Sequence, residues 1–227
     1  MGWSVMIFAA GFGTRMKHLT EDRPKPLVEV AGVPLIDHTL ALAETLPAET
    51  TVVNMHYKHE MLSHHLLAKP VQPVLESPRI LDTGGGLRNA LSVLGHAPVM
   101  TLNSDAIWSG PNPLTHLAKA WDPTRMDGLL CCISPKRAVD FEGSGNFVPD
   151  ATGRVVRGDG LIYGGAQIMK TEKLHQIEAD SFSLNVLWDM LIAENSLYAV
   201  EYNGFWCDVG HPDGITTAEH LLSNADV

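Results

Sequence analysis

Val5-Met6-Ile7-Phe8-Ala9-Ala10-Gly11-Phe12-Gly13-Thr14-Arg15-Met16 is the stretch whose reading decides the fold. Residues 5–9 form a short, uninterrupted apolar run, the pattern of a strand buried on both faces of a sheet. The run breaks at Gly11 and Gly13, which let backbone N–H groups approach an anion closely and adopt φ > 0. Arg15 adds a planar fork suited to phosphate oxygens. Two familiar phosphate loops do not fit. No Gly-Lys-Ser/Thr follows at P-loop spacing, and Met16 stands where a dinucleotide fingerprint needs its third glycine. Taken alone, a Gly-x-Gly turn after a strand also serves as a plain tight connection.

Outward from this loop, apolar runs alternate with amphipathic stretches. The spacing predicts strands at 51–55, 71–76, 98–102, 128–134, 161–169 and 197–202. It predicts helices at 35–46, 57–68, 86–94, 113–121, 183–193 and 212–222. Strands separated by helices of this length imply βαβ units. The fold class is therefore α/β: a doubly wound, mostly parallel, Rossmann-like sheet in three layers, α/β/α. Residues 140–159 are rich in Gly, Asp and Pro, with short extended pieces at 146–148 and 154–156. No repeat, low-complexity tract or linker interrupts the chain, so residues 1–227 are expected to form a single domain with an insertion-rich C-terminal half.

Composition narrows the partners. Sixteen Lys and Arg against 26 Asp and Glu leave a formal charge of −10, which argues against a nucleic-acid backbone or an anionic membrane as the main partner. No apolar run approaches the roughly 20 residues that span a bilayer. The start, Met1-Gly2-Trp3-Ser4-Val5, lacks a basic n-region, so no signal peptide is expected. Adjacent Cys131 and Cys132, with Cys207 far off, suit a disulfide framework poorly, and a reducing cytoplasm is the expected location.

Asp22-Arg23-Pro24-Lys25-Pro26-Leu27 sets a lysine between two prolines. Prolines fix φ and stiffen the chain, which suits a fixed cation better than a solvated one. With this element, the sequence resembles the sugar-phosphate nucleotidyltransferases. The glycine loop and Pro24-Lys25-Pro26-Leu27 are followed, in that family's order, by Asp82-Thr83-Gly84-Gly85-Gly86, Asn103-Ser104-Asp105 and Trp206-Cys207-Asp208-Val209-Gly210. Five ordered elements thus span residues 5–210. Within the family, the short chain and the Asp-Thr-Gly-Gly-Gly form are most similar to N-acetylmuramate 1-phosphate uridylyltransferases, with short mannose-1-phosphate guanylyltransferase-type enzymes as neighbours.

The resemblance implies the family's nucleotidyltransferase fold and transfer of a nucleotidyl group from an NTP, UTP favoured, to a sugar 1-phosphate, giving an NDP-sugar and pyrophosphate. It implies small-molecule partners only, in a monomer or homodimer. The acceptor phosphate is already an anion, so the reaction needs positioning and charge neutralisation, not a general base. Arg15 and Lys25 are the implied catalytic cations. Ala9, Ala10, Gly11, Gly13, Thr14, Arg15, Lys25, Asp82, Thr83, Gly84 and Gly85 are implied to hold the nucleotide. Asn146, Gly164 and Gly165 fall where the family binds sugar, and Asp105 and Asp208 where it holds Mg²⁺. Hard carboxylate oxygens suit that ion, and Asp105 follows a strand expected to be parallel, at the carboxyl edge where open α/β sheets place ligands.

A second phosphate-gripping lysine has only Lys136 and Lys170 as candidates. Arg79, Arg88, Lys136 and Arg137 are the available cations for the carboxylate of a muramate, while Asp140, Glu142 and Asn146 would suit a neutral hexose. His56-x-x-His59 invites a zinc reading, but no cysteine lies near it. Cys131 and Cys132 read as strand residues, and Leu187, Trp188, Leu191 and Ile192 as core. Transfer of CMP to a phospho-alcohol such as phosphocholine, and non-catalytic sensing of a nucleotide sugar, are the alternatives. A sensor has less need of both metal carboxylates together with Arg15 and Lys25.

Overall fold

The structure is a computed structural model that describes residues 2–95 and 98–224. β1 (Trp3–Phe8) leads through 3₁₀ turns at Thr14–Thr20 and Lys25–Leu27 and a minimal hairpin, β2 (Glu29–Val30) and β3 (Val33–Pro34), into α1 (Leu35–Glu44). Then come β4 (Ala48–Met55), α2 (His59–Leu66), β5 (Gln72–Leu75), α3 (Asp82–Leu94), β6 (Val99–Asn103), β7 (Ala106–Ser109), α4 (Pro113–Ala120) and β8 (Gly128–Ile133). The second half holds the hairpin β9 (Phe147–Pro149) and β10 (Val155–Arg157), then β11 (Ile162–Met169), α5 (Leu184–Ala193), β12 (Leu197–Glu201), β13 (Phe205–Asp208) and α6 (Asp213–Ser223).

Seven strands form the central sheet in the order β12-β8-β11-β6-β1-β4-β5. β1 lies parallel to β4 and β6, β5 to β4, and β12 to β8. β11 alone runs antiparallel, to both β6 and β8. Burial on both faces explains the continuous apolar runs. In β1, Val5 and Ile7 pack with Ile36, Leu40, Leu62, Leu66 and Leu114 on one face. Met6 points the other way, to Leu87, Leu91, Leu187 and Trp188. These two apolar clusters seat α1, α2 and α4 on one side and α3 and α5 on the other, giving the three layers. A third cluster joins α6, through Ala218 and Leu221, to Met16, Val28, Val30 and Leu35.

Two departures from the sequence reading bear on the cleft. The first is β7 and β13, two four-residue strands that pair antiparallel with Asp208 opposite Ala106. The second is α3, which begins at Asp82, four residues before the expected start at 86. Glycine is a poor helix former, and that rule puts Gly84-Gly85-Gly86 in a turn. Tertiary packing overrides it. A Cβ on Gly84 would run into the Phe182 ring, one on Gly85 into the Asp180 carbonyl, and one on Gly86 into the Glu76 carboxylate. The Phe182 carbonyl accepts from both the Gly84 and Gly85 N–H groups, at 2.8 and 3.1 Å. Two of the unpaired donors at the helix start are thereby satisfied by the chain itself.

Gly84→Ala tests this. Helix propensity alone favours alanine by about 1 kcal/mol. Overpacking against Phe182 costs about 1–3 kcal/mol, so urea unfolding should give a net loss of stability. A gain would show that residue 84 has room for a side chain.

Candidate active site

A cleft of about 220 Å³ opens at the carboxyl ends of β1, β4 and β6, lined by residues 8–11, Lys25, Asn54, Glu76, Asp82, Thr83 and residues 103–105. Loops leave adjacent parallel strands here, which is where an open α/β sheet binds ligands. The glycine loop forms one wall. Gly11 has open space where a Cβ would stand, so a ligand can approach its backbone. Gly13 is at φ 65°, and a Cβ there would meet the Lys25 Cβ at 2.9 Å. Only glycine combines that left-handed turn with a lysine so close behind it. The far end of the loop is tied down: Thr20 Oγ1 donates to the Gly13 carbonyl at 3.0 Å, and the Tyr57 hydroxyl to the Thr20 carbonyl at 3.0 Å.

The opposite mouth of the cleft holds two carboxylates. Asp105 follows β6 and Asp208 ends β13. The β7–β13 pairing brings them together, and the Val209 N–H donates to the Asp105 carbonyl at 2.8 Å. Burial and the neighbouring Asp105 hold the Asp208 carboxyl above its usual range, against the pull of Lys25, Arg15 and His211. Lys25 Nζ donates to Asp105 Oδ2 at 2.8 Å, its side chain only 12% exposed. Arg15 Nη1 lies 3.9 Å from Asp208 Oδ2, with its side chain 68% exposed. A Cβ on Gly210 would meet Asp208 Oδ2 at 2.7 Å and Arg15 Nη1 at 2.8 Å, so this glycine leaves the space in which they approach.

Among the described residues no three His, Cys, Asp and Glu side chains converge as a metal cage. His56 Nδ1 instead lies 2.8 Å from the Glu76 carbonyl oxygen. Asp105 and Asp208 nevertheless fit a magnesium ion. Their donors are hard oxygens, two carboxylates plus substrate phosphates are the usual set for this ion, and a lysine ammonium already seats itself as a cation on one of them.

Other expected site residues are placed differently. Asp82 and Thr83 line the cleft, but Gly84 and Gly85 close against residues 180–182, and their N–H groups are spent on Phe182. Thr14 opens the 3₁₀ turn beyond the cleft lining. Asn146 Oδ1 accepts from the Tyr163 N–H at 2.9 Å, fastening the loop before β9 to β11. Gly164 packs against Trp108, and its carbonyl accepts from Trp206 Nε1 at 2.9 Å. Gly165, at φ 88°, sits in the register shift of β11 against Asn103. Lys170 pairs with Asp127 at 2.8 Å. Because β11 is antiparallel, that lysine falls at the sheet edge opposite the cleft. Arg79 pairs with Asp180, Arg88 donates to the carbonyls of Ile177 and Ala179, and Arg137 donates to that of Asn203. Lys136 is exposed beyond the end of β8. Sequence reasoning passed over Asn54 and Glu76 at the cleft floor. Asn54 interrupts the apolar run Val52-Val53-Asn54-Met55, and that lone polar position was the available signal.

The sequence belongs to the MobA-like NTP transferase domain family, which it matches over residues 5–193, and the chain is thus a nucleotidyltransferase. Among its relatives, the N-acetylmuramate alpha-1-phosphate uridylyltransferase of Caulobacter vibrioides is 39% identical over 97% of both chains. A mannose-1-phosphate guanyltransferase of Hypocrea jecorina is 28% identical over 91% of this chain and 60% of its own length. The fold is also that of the solved inositol-1-phosphate CTP transferase from T. maritima, with a TM-score of 0.81, 14% identity and coverage of 99% of this chain and 96% of that one.

Asp208 is costly to the folded chain when ionised. A carboxyl raised on folding loses stability as pH climbs through the raised value, so at neutral pH the charge opposes folding. In chelator at pH 7, Asp208→Asn should therefore raise the urea midpoint while turnover is lost. A lowered midpoint would mean that the Arg15 and Lys25 contacts outweigh burial and repulsion.

Proposed function

We propose that this nucleotidyltransferase moves a uridylyl group from UTP to N-acetylmuramate 1-phosphate, releasing pyrophosphate. One observation carries the chemistry: Arg15, Lys25, Asp105 and Asp208, drawn from four separate segments, converge at the mouth of one cleft. Identity of 39% over nearly the full length of a uridylyltransferase supports the substrate pair. No membrane-spanning helix is found among the described residues. The three cysteines are buried thiols, which suits a reducing cytoplasm.

The sugar phosphate oxygen attacks the α-phosphorus, and pyrophosphate leaves from the opposite side. Charge must be neutralised as two anions are pressed together, and preorganised cations do this at little cost in reorganisation. Lys25 is held by Pro24 and Pro26 and by the packing of Gly13 against its stem, so its ammonium enters the transition state already placed. Arg15, largely exposed, is free to swing from Asp208 onto the departing pyrophosphate. The Gly11 backbone lets the triphosphate lie against the loop. Asp105 and Asp208 would hold the magnesium ion, which neutralises charge at the α-phosphate when bound.

Two measurements test this reading. A panel of UTP, GTP, CTP and dTTP against muramate, glucosamine and mannose 1-phosphates, scored by pyrophosphate release, should favour UTP with N-acetylmuramate 1-phosphate by at least about tenfold in kcat/KM, or about 1.4 kcal/mol. A tenfold preference for GTP with mannose 1-phosphate would overturn it in favour of the guanylyl reaction. For Lys25→Ala, kcat should fall about 10²–10³-fold, with a smaller rise in the KM for UTP. A change confined to KM would put Lys25 in ground-state binding.

A further inference from the structure

Two buried polar side chains cross the floor of the cleft. Asn54, near the end of β4, is 3% exposed, and Glu76, just after β5, is 1% exposed. The Ala9 N–H donates to Asn54 Oδ1 at 2.7 Å, Asn54 Nδ2 donates to Glu76 Oε1 at 2.6 Å, and the Leu81 N–H donates to Glu76 Oε2 at 2.7 Å. Ala9 begins the glycine loop. Leu81 directly precedes Asp82 and Thr83 at the start of α3. A single line of three hydrogen bonds thus runs from one wall of the cleft to the other. Glu76 is anchored from behind, its own N–H donating to the Met55 carbonyl at 2.8 Å.

Residue chemistry makes this line directional. A carboxylate only accepts, whereas an amide both donates and accepts. Two backbone donors point inward from the ends, so the middle must supply two outer acceptors and one central donor–acceptor pair. Asn54 followed by Glu76 does so with every atom matched. A glutamine at 76 would face two donors with one acceptor, and turning the Asn54 amide over would set its NH₂ against the Ala9 N–H. Each alternative leaves a buried group unpaired, which is the expensive outcome. A buried carboxylate is itself costly without such donors, so its presence here calls for a reason beyond filling space.

We infer that Asn54 and Glu76 are a positioning pair that fixes the distance between the glycine loop and the start of α3, and thereby sets affinity for the nucleotide. This rests on the reading that the NTP occupies the cleft. Neither side chain is part of the Lys25, Arg15, Asp105 and Asp208 group, so the pair acts on nucleotide capture and not on the transfer step.

The swap Asn54→Asp with Glu76→Gln tests the inference. It rebuilds the whole line with the central bond reversed, the introduced glutamine amide now donating to the introduced aspartate. Asn54→Asp alone sets two carboxylates face to face, and Glu76→Gln alone leaves a donor against a donor. In the full chain, each single change should raise the KM for UTP at least tenfold while the KM for sugar phosphate stays within twofold. The double change should return the KM for UTP to within about threefold of the unaltered chain. A double variant no better than the worse single, or equal rises in both KM values, would overturn the inference. Amide exchange in the unaltered chain gives a second measure that needs no variant to fold. The Ala9 and Leu81 amides should exchange slowly without nucleotide, and free exchange at either would show that the line does not form. Failure of UTP to saturate the unaltered chain would instead overturn the cleft reading itself.

Discussion

Two carboxylates that repel each other are held at one end of the sheet, and much of the surrounding architecture follows from that constraint. Asp105 and Asp208 lie 103 positions apart in sequence, yet the four-residue ladder of β7 and β13 sets them side by side. Nothing in their own chemistry favours the meeting, since burial and mutual repulsion both push the Asp208 carboxyl up. The compensation comes from the first 25 residues. Lys25 reaches Asp105 because Gly13 has no Cβ to block its stem, and Arg15 reaches toward Asp208 across the space left by Gly210. Under the proposed function, two carboxylates held this close are prepared for a cation that arrives with a substrate.

The walls of the cleft are built on the opposite principle. Around Asn54 and Glu76 three hydrogen bonds match donor to acceptor in line, and the residues that frame them are tied to strand ends. The glycine loop is fixed at its near end through Ala9 and at its far end through Thr20 and Tyr57. The start of α3 is fixed by residues 180–184, where Phe182 accepts from two glycine amides and the Leu184 N–H donates to Thr83 Oγ1 at 2.9 Å. Arg88 holds the approach to that segment by donating to the carbonyls of Ile177 and Ala179. The cleft walls are thus tied by hydrogen bonds, while Asp105 and Asp208 meet against their own repulsion.

What was legible in the sequence was whatever depends on near neighbours. The β1 run, the glycine loop, the proline-flanked Lys25 and the strand–helix alternation are local patterns, and the parallel sheet follows from them. The expected start of α5 at 183 falls one residue before the helix, on Ser183, which caps it by accepting from the Asn185 N–H at 3.2 Å. What failed depends on distant partners. Gly84 and Gly85 looked like open backbone for a ligand, but residues 180–182, a hundred positions on, fill that space. Lys170 looked available until the antiparallel course of β11 carried it to the far edge. β7 and β13 are too short to announce themselves, since four residues carry almost no periodicity. Asn54 and Glu76 acquire meaning only when β4 and β5 are laid side by side.

The packing of α6 has a consequence for how the chain comes into being. Ala218 and Leu221 cover Met16, Val28, Val30 and Leu35, and Asp208 lies only a few residues ahead of that helix. On a ribosome adding about 5–20 residues per second, the first segment emerges roughly 10–40 s before the last. Through that interval the apolar underside of residues 16–35 lacks the cover of α6, and Lys25 and Arg15 have no Asp208 to share. A nascent chain can lay down the β4-β1-β6 centre early, but Asp208 joins Asp105, Lys25 and Arg15 only after β13 has followed. A chain broken off before α6 therefore leaves Met16, Val28, Val30 and Leu35 without the cover of Ala218 and Leu221.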